Sequence, residues 1–163
     1  MAKVILICGK ICSGKTTYAK NLVKETNAVI LSVDEITLAL FGQHLGEKHD
    51  EIVEKTEKFL LKKSIEILSI GVNVILDWGF WSRKGRKKIT KYFADFGIKI
   101  EWHYVDVDDE TWQKNVNKRN NNINNMENFY YIDDNIAKKF WDLFEEPLRN
   151  EMDFWHKNDW ANC

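Results

Sequence analysis

An apolar run that passes through a glycine-rich loop and restarts at helical spacing leaves few folds open, and residues 4–17, VILICGKICSGKTT, form such a run. Gly9, Gly14, Lys15 and Thr16 satisfy the spacing G-x-x-x-x-G-K-[ST]. A loop of this kind works only between a strand and a helix. Val4 to Cys8 is short, apolar and β-branched, as expected of a strand buried on both faces of a parallel sheet. Tyr18, Ala19, Leu22 and Val23 then recur at helical spacing, so a helix should begin near Lys15. The free amides and the dipole at its N-terminus favour an anion over the loop.

Strands and helices alternate along the rest of the chain. Ala28 to Val33 reads as a second strand ending at Asp34, with a short helix after it through Leu38 to Phe41. Glu51 to Ile70 reads as a long amphipathic helix closed by Gly71, and Val72 to Leu76 as a third strand ending at Asp77. Ser82 should cap the helix that stops at Gly97, and Ile98 to Val107 supplies a fourth strand. Asp108 should cap a helix through about Val116, and a last helix spans about Asp133 to Phe144, before Pro147. No strand is evident after Pro147. The pattern predicts an α/β, three-layer αβα sandwich with a mostly parallel sheet, built from residues 1–163 as one domain. The basic, then asparagine-rich run KRNNNINNMEN has no hydrophobic period, and a mobile lid is expected at about 117–132.

Composition narrows the partners. With 24 basic and 25 acidic residues the formal charge is −1, so no global field calls for nucleic acid. No apolar run is long enough to span a bilayer and the chain enters a strand at once, which predicts a cytoplasmic protein without membrane contact. Cys8, Cys12 and Cys163 are odd in number and lack metal-ligand spacing, so neither a disulfide framework nor a zinc site is expected. Oligomeric state has no signal in the sequence.

In parallel sheets ligands bind beyond the carboxyl ends of the strands, which singles out Asp34, Asp77 and Asp106. Residues Gly9, Lys10, Ile11, Cys12, Ser13, Gly14, Lys15, Thr16 and Thr17 are the expected nucleotide-binding set. Lys15 should reach the β- and γ-phosphates of ATP, and the Thr16 hydroxyl should hold Mg²⁺. Asp77 is the candidate second metal residue, with an Asx turn as the alternative. Asp34 is either the acceptor of a substrate proton or the N-cap of the helix after it. Asp106 has the weakest case, since the helix dipole alone explains it beside Asp108 and Asp109. Arg83 and Lys84 sit in the first turn of a helix, the end that disfavours cations, and Arg86, Lys87 and Lys88 follow, so either an anion lies nearby or the run is a solvated basic face. Trp78, Phe80 and Trp81 either line an acceptor pocket or belong to the core. Arg119 lies where it can spread charge over a transferring phosphoryl group, or simply complements the dipole at a helix C-terminus.

Taken together, "GKICSGKT", "VILSVDEI", "GVNVILDWGFWSRKGR", "YVDVDDETW" leading to "KRN", and "FEEP" resemble the small P-loop kinases identified as AAA-type ATP-binding proteins, relatives of chloramphenicol phosphotransferase, zeta toxins and the kinase half of polynucleotide kinase. The resemblance runs from about Lys3 to Pro147. It implies an adenylate-kinase-like topology with strand order 2-3-1-4-5, ATP with Mg²⁺ in the loop, and transfer to a hydroxyl near Asp34. Asn115 departs from the pattern, since such kinases often carry an arginine there. The expected function is transfer of the γ-phosphoryl group of ATP to a hydroxyl of a small molecule, whether metabolite, nucleoside or antibiotic. A polynucleotide 5′-hydroxyl kinase, favoured by the basic stretch from Arg83 to Lys91, and a nucleotide-binding regulatory ATPase are the alternatives.

Overall fold

The computed structural model describes residues 1–43, 46–121 and 130–158. Its central strand, β1 (Lys3–Cys8), consists of side chains that are almost all fully buried, because both of its faces are covered. In chain order the other elements are α1 (Lys15–Thr26), β2 (Ala28–Leu31), α2 (Val33–Phe41), α3 (His49–Ser69), β3 (Asn73–Asp77), α4 (Arg83–Asp95), β4 (Lys99–Asp106), α5 (Asp109–Asn121), α6 (Asp134–Leu143) and β5 (Phe154–Lys157). The strands form one sheet in the order β2-β3-β1-β4-β5, and every pairing is parallel. This is the topology that the resemblance implies.

Alternation along the strands sorts the core into two layers. Val4, Leu6 and Cys8, with Val74, Leu76, Trp102 and Tyr104, pack against Leu60 and Leu68 of α3 and Phe93 of α4. Ile5, Ile7, Ile75 and Val105 turn the other way, onto Ala19 and the partly buried Tyr18, Leu22 and Val23 of α1. Burial of each large aliphatic side chain in these layers contributes about 2 kcal/mol. A third cluster joins α5 to α6 through Val107, Trp112, Val116, Ile132 and Ala137, and Ile11 and Cys12 of the glycine-rich loop lean on it. The loop is thus packed against α5 as well as suspended between β1 and α1.

Two boundaries differ from expectation. β2 ends at Leu31, and the Ser32 hydroxyl accepts from the Glu35 amide at 3.3 Å, so Ser32 is the N-cap of α2. Asp34 lies inside the first turn of that helix and is not its cap. The second correction is β5, which sequence reasoning did not find. Its register sets His103 beside Phe154 and Asp106 beside Lys157. The strand is pinned at both ends, where Asp153 N donates to Trp102 O at 2.9 Å and Asn158 N donates to Asp106 O at 2.7 Å. Asp106 also accepts from Trp155 Nε1 at 3.1 Å, which gives that carboxylate a structural partner.

Candidate active site

The loop needs glycine at both of its motif positions. A Cβ on Gly9 would lie 2.6 Å from Ser13 Oγ and 2.8 Å from the Val105 carbonyl oxygen. Gly14 has φ of +93°, and a Cβ there would come within 2.4 Å of Asn158 Nδ2. As N-cap of α1, Gly14 has no side chain to offer the first-turn amides, which have no intrahelical acceptor either. Those amides and the dipole behind them are what an anion would meet. Lys15 Nζ donates to the carbonyl oxygens of Gly9 at 3.1 Å and Lys10 at 2.8 Å, which arches the side chain back over the loop. Lys10 is drawn outward, its ammonium 3.7 Å from the Trp141 ring centroid and 3.5 Å from Asp109 Oδ1. Thr17 is exposed.

Thr16 Oγ1 donates to Asp77 Oδ2 at 2.7 Å, joining the start of α1 to the end of β3. The pairing follows from the sheet register, which sets Ile7 beside Asp77 at the carboxyl ends of β1 and β3. Burial raises the Asp77 carboxyl above the usual carboxylate range, opposed by the charge of Lys15 and the bond from Thr16. Burial likewise lowers the Lys15 ammonium, opposed chiefly by Asp77. Asp34 is exposed at the surface, yet desolvation by the protein around it raises its carboxyl; Lys15 and Arg119 pull it down and Asp77 pushes it up. Lys15, Asp34, Asp77 and Arg119 therefore share one electrostatic neighbourhood.

Arg119 Nε donates to the Tyr130 carbonyl at 3.1 Å, and its NH1 donates to Cys12 Sγ at 3.5 Å. The Tyr130 hydroxyl pairs with Thr37 Oγ1 of α2 at 2.8 Å. The chain after the asparagine-rich run thus touches both α5 and α2. Of the segment 117–132 expected to form a lid, 117–121 continues α5 beyond its expected end near Val116, and 122–129 lies outside the described residues.

The WGFWSR segment is used mainly inside the protein. Trp78 is buried and donates to the Leu31 carbonyl at 3.0 Å, and Phe80 stacks on it and meets Trp102 edge-on. Trp81 is half-buried against Phe140. Arg86 is buried, and its guanidinium donates to the carbonyls of Phe80 at 3.1 Å and Glu145 at 3.0 Å and to Glu151 Oε2 at 3.3 Å. The anion expected near Arg83 and Arg86 is the protein's own. Glu145 accepts from the Arg83 amide at 2.5 Å, and Glu151 lies 3.7 Å from Arg83 Nε. A cavity of about 380 Å³ opens beside them, lined by Arg83, Lys84, Lys87 and Glu145 and by no residue of the phosphate loop.

Residues 4–134 match the family model described as an AAA domain. The chain belongs to that AAA domain family. No curated protein matches it. Among solved structures, this AAA domain superposes on a candidate kinase from Chloroflexus aurantiacus with a TM-score of 0.74 at 14% identity, covering 96% of this chain and 88% of that one. The Mycobacterium tuberculosis APS kinase CysC, solved with AMPPNP and APS, gives a TM-score of 0.68 at 16% identity, with 98% and 90% covered. A chain of the Pnkp1/Rnl/Hen1 RNA repair complex gives 0.70 at 22% identity, with 87% of this chain and 43% of that chain covered. These likenesses establish a small P-loop kinase fold. Among the described residues, no helix is long and apolar enough to cross a membrane.

Some residues that touch the loop of this AAA domain lie outside the loop motif itself. Trp112 Nε1 donates to the Ile11 carbonyl at 2.8 Å, Asn115 Nδ2 to the Cys12 carbonyl at 3.1 Å, and Asn158 Nδ2 to the Ser13 carbonyl at 2.7 Å. Asn158 follows a strand that the sequence conceals. Trp112 closes the stretch YVDVDDETW and Asn115 is the noted departure from the kinase pattern, but their bonds to loop carbonyls emerge only once α5 is known to lie against the loop.

Proposed function

We propose that this protein is an ATP-dependent phosphotransferase that moves the γ-phosphoryl group to a hydroxyl of a small molecule. The observation that carries the reading is the union of Thr16 with Asp77 beside Lys15, which gathers a phosphate loop, a cation and a metal-type oxygen pair at one end of the sheet. Backbone amides of Gly9 to Thr17 would receive the phosphates, and Lys15 would neutralise the β- and γ-oxygens. The hydroxyl of Thr16 and the carboxylate of Asp77 are hard oxygen donors that fit Mg²⁺, which takes few protein ligands beside substrate phosphates. Bound there, Mg²⁺ would supply charge neutralisation at the phosphates.

Phosphoryl transfer asks for alignment, an acceptor for one proton and positive charge around the moving group. Asp34 is the proposed base. The acceptor hydroxyl oxygen bonds to the γ-phosphorus, the bond from that phosphorus to the β,γ-bridging oxygen breaks, ADP leaves, and the hydroxyl proton passes to Asp34. Arg119 lies in the same electrostatic neighbourhood as Asp34 and is the proposed stabiliser of charge on the γ-oxygens. The acceptor side of the site would draw on α2 and the segment after Asp77, where Arg83 is exposed, Phe80 and Trp81 are partly buried, and Trp78 and Arg86 are buried.

A second reading, a polynucleotide 5′-hydroxyl kinase, is favoured by one observation. Arg83, Lys84, Lys87, Lys88 and Lys91 are exposed along α4, and the cavity beside Arg83 and Lys84 is basic. Incubating the protein with MgATP and separate pools of sugars, nucleosides, aminoglycoside and amphenicol antibiotics, and single-stranded RNA or DNA, with mass-spectrometric detection of a phosphate adduct, separates the two. A phosphorylated small molecule supports the first reading, and an adduct confined to nucleic acid ends supports the second.

A further inference from the structure

We infer that Trp112, Asn115 and Asn158 are positioning residues of the phosphate loop, which hold its carbonyls outward so that its amides face the phosphates. The inference rests on the reading that this loop binds a nucleotide polyphosphate. Within a peptide unit the carbonyl and the amide point in opposite directions, so a loop whose successive carbonyls are tied to the surroundings presents its amides to the concave side. Every carbonyl from Gly9 to Gly14 has a donor here. Lys15 Nζ serves Gly9 and Lys10, and the amide of Tyr18 serves Gly14 at 2.9 Å. Those donors belong to the motif and its helix. The middle carbonyls, of Ile11, Cys12 and Ser13, are served instead by Trp112 at 2.8 Å, Asn115 at 3.1 Å and Asn158 at 2.7 Å.

The braces arrive from two directions on rigid supports. Trp112 and Asn115 are three residues apart on α5 and share a face. Trp112 is itself seated against Trp141, with ring centroids 4.7 Å apart. Asn158 comes from the far edge of the sheet, its backbone amide fixed on Asp106 O at 2.7 Å and its side chain buried. The segment they hold is strained, since Cys12 has φ of +58°, a conformation that costs a non-glycine residue about 1 kcal/mol. Left to itself the apex would relax, turning an amide away from the cradle. Packing explains the burial of Trp112 but not the choice of amide side chains at 115 and 158, whose Nδ2 atoms each end on a loop carbonyl.

The test compares MgATP with AMP, whose single phosphate does not reach as far into the loop, by calorimetry and by displacement titration. Trp112→Phe removes the indole donor and keeps most of the ring, Asn115→Leu keeps the volume at a partly exposed position, and Asn158→Ala removes the buried brace. Each folded variant is expected to bind MgATP at least about fivefold more weakly while AMP affinity changes by less than about twofold, from the loss of one hydrogen bond to the loop. Should Asn158→Ala fail to fold, the other two variants carry the test. Equal losses for ATP and AMP, or the wild-type ratio in every folded variant, would overturn the inference. Wild-type protein that binds no MgATP would overturn the nucleotide reading itself, a result visible before any variant is made.

Discussion

Thr16 Oγ1 sits 2.7 Å from Asp77 Oδ2, so the residue after the loop lysine and the last residue of β3 are bonded to each other. The contact places a buried carboxylate beside the phosphate loop, where its charge is costly to the fold and where the proposed function gives it a metal to hold.

Asp77→Asn should separate those two effects. Burial holds the Asp77 carboxyl above its ordinary value, so the fold binds a proton there more tightly than the unfolded chain does. Stability from this group is therefore present at low pH and is lost as pH rises from about 4 through the raised value. At neutral pH, without nucleotide, the asparagine variant should melt no lower than wild type, and higher if the penalty is felt. Its phosphotransfer or ATP turnover should fall about 100-fold or more, because a metal clamp is worth several kcal/mol at the transition state. Calorimetric melting and steady-state kinetics on the same preparation check both halves.

Asp34 and Ser32 make a second pair with opposite expectations. Ser32 is the N-cap of α2, so Ser32→Ala should lower stability by about 1 kcal/mol and leave turnover near wild type. Asp34→Asn should do the reverse, with an unchanged melting temperature and turnover reduced about 100-fold or more. Desolvation by neighbouring protein raises the Asp34 carboxyl, and a base must lose its proton to act, so the acid limb of kcat/KM should lie above the ordinary carboxylate value of about 4. A profile flat down to that value, or full turnover in Asp34→Asn, removes the residue from catalysis.

Arg86 and Lys87 are neighbours with different fates. The Arg86 guanidinium is buried among the carbonyls of Phe80, Trp81 and Glu145 and the carboxylate of Glu151, so Arg86→Met should destabilise the protein by about 3 kcal/mol. Lys87 is exposed, and Lys87→Ala should shift stability by no more than about 0.5 kcal/mol. Denaturant titration reads both. A larger effect of Lys87→Ala on activity than on stability would mark the basic cavity as part of the acceptor site.

The legible parts of the fold are those where one local pattern has one physical solution. β1 and β3 are apolar runs because both faces are covered, and the glycine spacing has no other use as economical as a phosphate cradle. β5 was hidden for the opposite reason. FWHK is a short edge strand with Phe154 half-exposed, held largely by pairing and by Asp106, Asp153 and Asn158, so it has no hydrophobic run to read. The cations of WGFWSRKGRKK drew attention to an anion, and the anions proved to be Glu145 and Glu151, more than fifty residues away in the chain. Spacing cannot pair residues across such distances. The same limit conceals the contacts of Trp112, Asn115 and Asn158 with the loop, which depend on where α5 and β5 come to rest.

Titration calorimetry of the wild-type protein with ATP, with and without Mg²⁺, tests most directly whether the loop from Gly9 to Thr17 receives a polyphosphate beside Thr16 and Asp77. The expected result is a one-to-one isotherm that weakens at least about tenfold when Mg²⁺ is chelated and is abolished by Lys15→Ala. Absence of binding in wild type, or binding that Lys15→Ala leaves intact, would contradict it.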